Sequence, residues 1–284
     1  MKAISNQLPF LSEKFEVGPR KIVVKTLLDI EFPKGHIGVK SFDVEVVDED
    51  GKSVPLYETY LHHWFAVKYI ENITMSHYIK QSHDLHNGIE FERNDGMCQG
   101  FLLPHYWGLG GESRGTSSNL PNPFAVELGN PTKLKDGFEE KWLFSIMVID
   151  TRGTHDRKEY TIPRNHDSDS PHIKKANIST TKGGYLVYGT AHMHTGVVNT
   201  TLYGQDGRVL CTSNPKYGTR KEPGNENGYL VGMSVCYPKP GSIKIKEDEI
   251  LTLESIYENK FRTGAMGHFY IYLADQISNK DLNI

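Results

Sequence analysis

Asn199-Thr200-Thr201-Leu202-Tyr203-Gly204-Gln205-Asp206-Gly207-Arg208-Val209-Leu210-Cys211-Thr212 sets two short β-prone runs on either side of an Asp-Gly turn. Asp-Gly tolerates the positive φ angles of tight hairpins, so the runs flanking it are expected to pair antiparallel. Asp48-Glu49-Asp50-Gly51 carries the same signal. Outward from these turns, almost every segment alternates at period two or reads as a short apolar run between turn residues. No stretch of eleven or more residues shows helical periodicity. Strands are expected over 21–28, 37–47, 60–67, 141–149, 184–190, 199–203, 209–212, 229–236, 250–257 and 267–273. Hairpin spacing without intervening helices makes this an all-β chain, expected to be built as two tandem antiparallel β-sandwich (jelly-roll) domains.

The size agrees with two domains. The chain has 284 residues, enough for two sandwiches of ordinary length. Two stretches, 108–131 and 151–175, are rich in Gly, Pro, Ser and Asn or poor in apolar anchors, and read as loops. The second places the boundary: residues 1–152 form the first sandwich, 153–175 a polar linker and 176–284 the second. Lys+Arg 32 against Asp+Glu 35 leaves a net charge of −3 with no block of like charges, which excludes nucleic acid as a partner. The longest apolar runs fall far short of the roughly 20 residues of a membrane span, so none is expected.

Compartment is read from weaker signals. The first residues lack the apolar core of a signal peptide. Sequons nevertheless occur at Asn72-Ile73-Thr74, Asn177-Ile178-Ser179 and Asn199-Thr200-Thr201. The expectation is a secreted, endomembrane or vacuolar protein if a leader was removed, and otherwise a cytoplasmic one. Cys98, Cys211 and Cys236 are too few for a disulfide scaffold and have no CxxC spacing; Cys211 and Cys236 form one bridge, or all three are buried thiols.

Three segments carry chemistry. In Gly184-Tyr185-Leu186-Val187-Tyr188-Gly189-Thr190-Ala191-His192-Met193-His194, positions i and i+2 of a strand share a face, so His192 and His194 can present two imidazoles to one ion. In Tyr57-Glu58-Thr59-Tyr60-Leu61-His62-His63-Trp64, adjacent residues face opposite sides, and His62 and His63 can share an ion only at a bulge or a strand end. Met266, just before the apolar strand of 267–273, is core filler by itself. Joined to His192 and His194 it makes a nitrogen and thioether set that favours cuprous copper. HExxH, GxxxxGK[ST] and strand-linked GxGxxG motifs are all absent.

The order His62-His63, His192-x-His194, Met266 resembles the catalytic core of the ascorbate-dependent type II copper monooxygenases, of which peptidylglycine α-hydroxylating monooxygenase is the type member. Over nearly its whole length the chain is also similar to plant stress-up-regulated nodulin-like proteins. Residues 35–42, 56–64, 93–96, Asp150-Thr151-Arg152-Gly153 and Gly224-Asn225-Glu226-Asn227-Gly228-Tyr229 carry that likeness. The monooxygenase resemblance implies two copper sites facing each other across a solvent-filled cleft. His192, His194 and Met266 would activate oxygen, and His62 and His63 would belong to an electron-donating site, with ascorbate as reductant and a hydroxylated small organic metabolite as product. The third ligand of that first site should be a His near the end of the strand of 141–149, where this sequence offers Met147 instead. The Cys-rich insertion of the plant relatives is also missing.

Two rivals follow from those departures. The cleft is recruited for metal-independent acid–base chemistry, such as isomerisation or cyclisation of a plant metabolite, since histidines titrate near neutral pH. Alternatively, the chain is a non-catalytic copper or ligand binder of the stress response. Substrate and oligomeric state are not legible in the residues.

Overall fold

The computed structural model describes residues 11–28, 30, 35–76, 88–91, 106–152, 170–180, 182–260 and 266–274. Sixteen strands account for its regular structure, with three single turns of 3-10 helix among the described residues. Among the described residues every strand pair is antiparallel and no sheet closes into a barrel, and the chain is an all-β protein of the sandwich type.

The first seven strands are β1 (Ile22–Leu27), β2 (Ile37–Val39), β3 (Thr59–Asn72), β4 (Ile89–Phe91), β5 (Tyr106–Leu109), β6 (Val126–Leu128) and β7 (Phe138–Asp150). The long β3 and β7 pair along their whole lengths, from Thr59↔Asp150 to Asn72↔Phe138. With β1, β4 and β5 they make one sheet. Its inner face carries Leu61, Trp64, Ala66, Trp107, Trp142, Ile146 and Val148. The small β2–β6 sheet and the extended run through Phe42, Val44 and Val46 cover that face. At the sheet's far end Lys141 pairs with the fully buried Glu71 at 2.9 Å, so neither charge is left desolvated alone.

The remaining strands are β8 (His172–Ser179), β9 (Gly184–Met193), β10 (Val197–Tyr203), β11 (Val209–Ser213), β12 (Pro215–Tyr217), β13 (Leu230–Met233), β14 (Lys244–Ile245), β15 (Ile250–Tyr257) and β16 (Gly267–Ala274). They form a β11-β10-β15-β8 sheet and a β14-β9-β16 sheet, with β12–β13 beside them. β15 alternates strictly, burying Leu251, Leu253, Ser255 and Tyr257. Leu251 and Leu253 meet Leu186, Leu202, Leu210 and Ile245 between the sheets. Truncating such a leucine to alanine costs about 2–5 kcal/mol.

The layer β9–β16 decides where a site can lie, because it is covered on both sides. Ala191 and Met193 of β9 point into the second sandwich with Val197, Leu230, Met233 and Tyr257. On β16, Phe269, Ile271 and Leu273 pack into that sandwich, whereas Tyr270 and Tyr272 pack on the core of the first. β9 is accordingly buried along nearly its whole length.

Several expectations are corrected. β8 begins at His172, so the end of the expected 153–175 linker is strand; it is an edge strand with most side chains exposed, and its polar outer face hid it. The expected strand of 37–47 is regular only over Ile37–Val39, and the Asp48–Gly51 turn closes a single bridge, Val47↔Ser53, rather than a full hairpin. The 108–131 loop contains β6 and a 3-10 turn. The second Asp-Gly turn does join β10 to β11. Cys211 and Cys236 are bridged, with Cα atoms 5.8 Å apart. Cys98 lies outside the described residues.

Candidate functional site

His192, at the end of β9, and His194, one residue beyond it, turn toward the first half of the chain, where His194 meets the His62 ring. Both are buried, at 0% and 1% exposure. Opposite them on β3 the register slips between Leu61 and His63, leaving His62 as an extra residue. That bulge is what two adjacent histidines need in order to lie together. Their Nδ1 atoms are 3.0 Å apart, so one ring donates to the other. The His62 ring centroid lies 4.6 Å from that of His194, and His194 lies 5.5 Å from His192. The two pairs expected in separate sites therefore form one cluster across the seam between the halves.

Sequence reading missed two members. His268 of β16 stands directly opposite His192 in the ladder, with ring centroids 6.1 Å apart. Glu112, also buried, contacts His192 Nδ1 through Oε1. Glu112 comes from a tight turn that opens the segment between β5 and β6. Its carbonyl accepts from Gly115 N and Thr116 Oγ1, and the next residue, Ser113, accepts from Trp64 Nε1 at 2.7 Å. Gly110 lets the turn lie this close: a Cβ there would come within 2.6 Å of both His192 Cε1 and the His62 carbonyl oxygen. Neither a lone Glu after two glycines nor a single His in an apolar strand gives a periodic signal.

The remaining candidates sit at the margins. Met147 pairs directly with His63 in the β3–β7 ladder. Met266 is half-buried, one residue before β16, and its carbonyl accepts from Tyr257 Oη at 2.6 Å.

Desolvation dominates the electrostatics. Burial pushes His62 down to about 4, helped by His192, and pushes His63 to about 4, helped by His62, His192 and His268. His268 is likewise lowered to about 4 by burial and then by His192. These rings are neutral at pH 7, the form that binds metal. The Glu112 carboxylate can only accept, so Nδ1 of His192 is the donor, and in the neutral ring this leaves the lone pair on Nε2. Nε2 is buried and has no hydrogen-bond partner among the described residues. A carboxylate behind an imidazole whose other nitrogen is open is the support that metal-binding histidines carry. The donor chemistry thus fits a transition metal. Among the described residues no three His, Cys, Asp or Glu side chains already stand in ligating positions, so binding requires the rings to turn.

Fold and site define an all-β sandwich protein with a buried histidine cluster in the seam between two halves. A family model, "Stress up-regulated Nod 19", matches residues 4–164 and again 158–276, and the chain belongs to that family. No curated protein matches it. Among solved structures, a structure of the Gt strain of infectious bursal disease virus is 12% identical, covering 90% of this chain and 73% of that one, with a TM-score of 0.18. The VP2 subviral particle of the same virus is 11% identical over 88% and 70%, also at 0.18. Neither likeness carries an argument about this fold or its use. No helix among the described residues is long and apolar enough to cross a membrane.

Proposed function

We propose that the seam cluster binds copper and that the chain acts as an ascorbate-dependent, monooxygenase-like enzyme on a small organic metabolite. The observation that carries this reading is the convergence of His62, His192 and His194, with Glu112 behind His192. The resemblance in ligand order to the type II copper monooxygenases supports it. Bound copper would supply one-electron redox chemistry: two electrons from ascorbate let one atom of O2 enter a C–H bond and the other leave as water. The chain's own residues do the rest. Glu112 orients His192, the bulge holds His62 and His63 side by side, and the surrounding walls keep bulk water from His192 and His194. His62 and His63, paired with Met147, would hold the cuprous state or pass electrons to it.

Ascorbate-driven oxygen uptake by the copper-loaded chain, across a panel of plant metabolites, tests this. Uptake that requires a metabolite and vanishes in His192→Ala supports it. Stoichiometric copper binding without uptake leaves a copper binder. The Glu112–His192 contact favours one other reading, a carboxylate-supported general base for isomerisation or cyclisation. Turnover that persists in a strong chelator would establish that reading and remove the first.

The Cys211–Cys236 bridge, with an exposed sequon at Asn177, supports a chain that matures in an oxidising, glycan-adding compartment. Mass loss on enzymatic deglycosylation of the plant-expressed protein tests it; an unshifted mass counts against it.

A further inference from the structure

The resemblance gives the third ligand beside His192 and His194 to Met266, yet the structure offers a different donor. His268 lies within the β9–β16 ladder, opposite His192, while Met266 falls one residue outside it. Both facing rings carry an unanswered nitrogen: His192 Nε2 and His268 Nδ1 are buried and lack hydrogen-bond partners among the described residues. Leaving such an atom unsatisfied costs about 1–3 kcal/mol, and two on directly opposed residues point to something that completes them. Water could do so, and so could an ion once the rings turn, since among the described residues no three such side chains already stand in ligating positions. With a metal–nitrogen bond of about 2.0–2.1 Å, two imidazole centroids on one ion lie about 5 Å apart when tetrahedral and just over 6 Å when linear. The observed separations are 5.5 Å for His192–His194 and 6.1 Å for His192–His268.

We infer that His268, not Met266, completes the metal centre with His192 and His194, giving an all-imidazole site fixed by two neighbouring strands. The inference rests on the reading of the seam as a metal centre. It makes the site harder in character than a thioether site, so it holds cupric as well as cuprous ion.

X-ray absorption of the full chain loaded with copper(I) reads the ligands directly. The expected spectrum has nitrogen neighbours only, unchanged in Met266→Leu. His268→Gln should weaken copper binding by at least tenfold in chelator competition and change the nitrogen hyperfine pattern of the cupric form, with circular dichroism unchanged. A sulfur neighbour that disappears in Met266→Leu would overturn the assignment of His268 while leaving the metal centre standing, as would unaltered affinity in His268→Gln. A wild-type chain that takes up no copper would overturn the metal centre itself and this assignment with it.

Discussion

In the folded chain burial above all, and then the nearby His192 ring, holds His62, His63 and His268 down to about 4, with His62 and His268 also lowering His63. In the unfolded chain each would protonate near 6.5. Between those values the unfolded state binds more protons, so stability is complete above about pH 6.5 and declines as the pH falls toward 4. Urea midpoints measured from pH 7 to pH 4.5 should fall, and fall less in a His62→Gln, His63→Gln double variant; parallel curves would show that these rings are not the cause. Glu112 acts through His192. Glu112→Gln keeps a hydrogen-bond acceptor but removes the charge, and should lower copper affinity by roughly ten- to a hundredfold while leaving the fold intact. Equal affinity in chelator competition would make the contact structural only. The His192–His194 pair was legible because strand period alone puts i and i+2 on one face. Glu112 and His268 were not, because they reach the cluster only through a turn and a ladder pairing that the one-dimensional order does not reveal.

Among the elements, the β3 bulge and the Gly110 turn place the cluster. An inserted residue re-aims a strand locally, and at His62 it brings two consecutive imidazoles together while Leu61 and Trp64 still face the first core. The sequence could say that a bulge was required; where β3 and β7 slip depends on their full pairing. Gly110→Ala would drive a methyl into His192 or the His62 backbone. Overpacking of this kind costs roughly 1–3 kcal/mol, and both the thermal midpoint and copper affinity should drop. A variant with wild-type values would show that the turn does not brace the histidine. Strands with an apolar face, such as β7 and β15, were readable within a few residues. The exposed edge strand β8 was not, since its outward residues are polar and only its pairing with β15 marks it as a strand.

For the molecule as a whole, the seam is a polar lock over apolar packing. Glu226, 1% exposed, accepts from Leu56 N at 3.1 Å and pairs with Arg114 at 3.3 Å. Thr116 Oγ1 accepts from Met233 N at 2.9 Å, and Tyr188 Oη donates to the Ser117 carbonyl at 3.0 Å. Glu226→Ala should cost roughly 2–3 kcal/mol, below the 3–5 of a fully buried pair because Arg114 keeps Glu45. Copper affinity should fall with it, as the two sides of the cluster come from different halves; a stability loss with unchanged affinity would show that the site does not depend on the seam. This joining of distant segments was the part least legible beforehand, since sequence separation says nothing of which faces meet. The most direct measurement is elemental analysis of the purified full-length chain after copper loading and desalting. About one copper per chain, abolished in a His192→Ala, His194→Ala double variant that remains folded, is the expected result. Less than a tenth of an equivalent, or equal copper in the double variant, would contradict a metal centre in the seam.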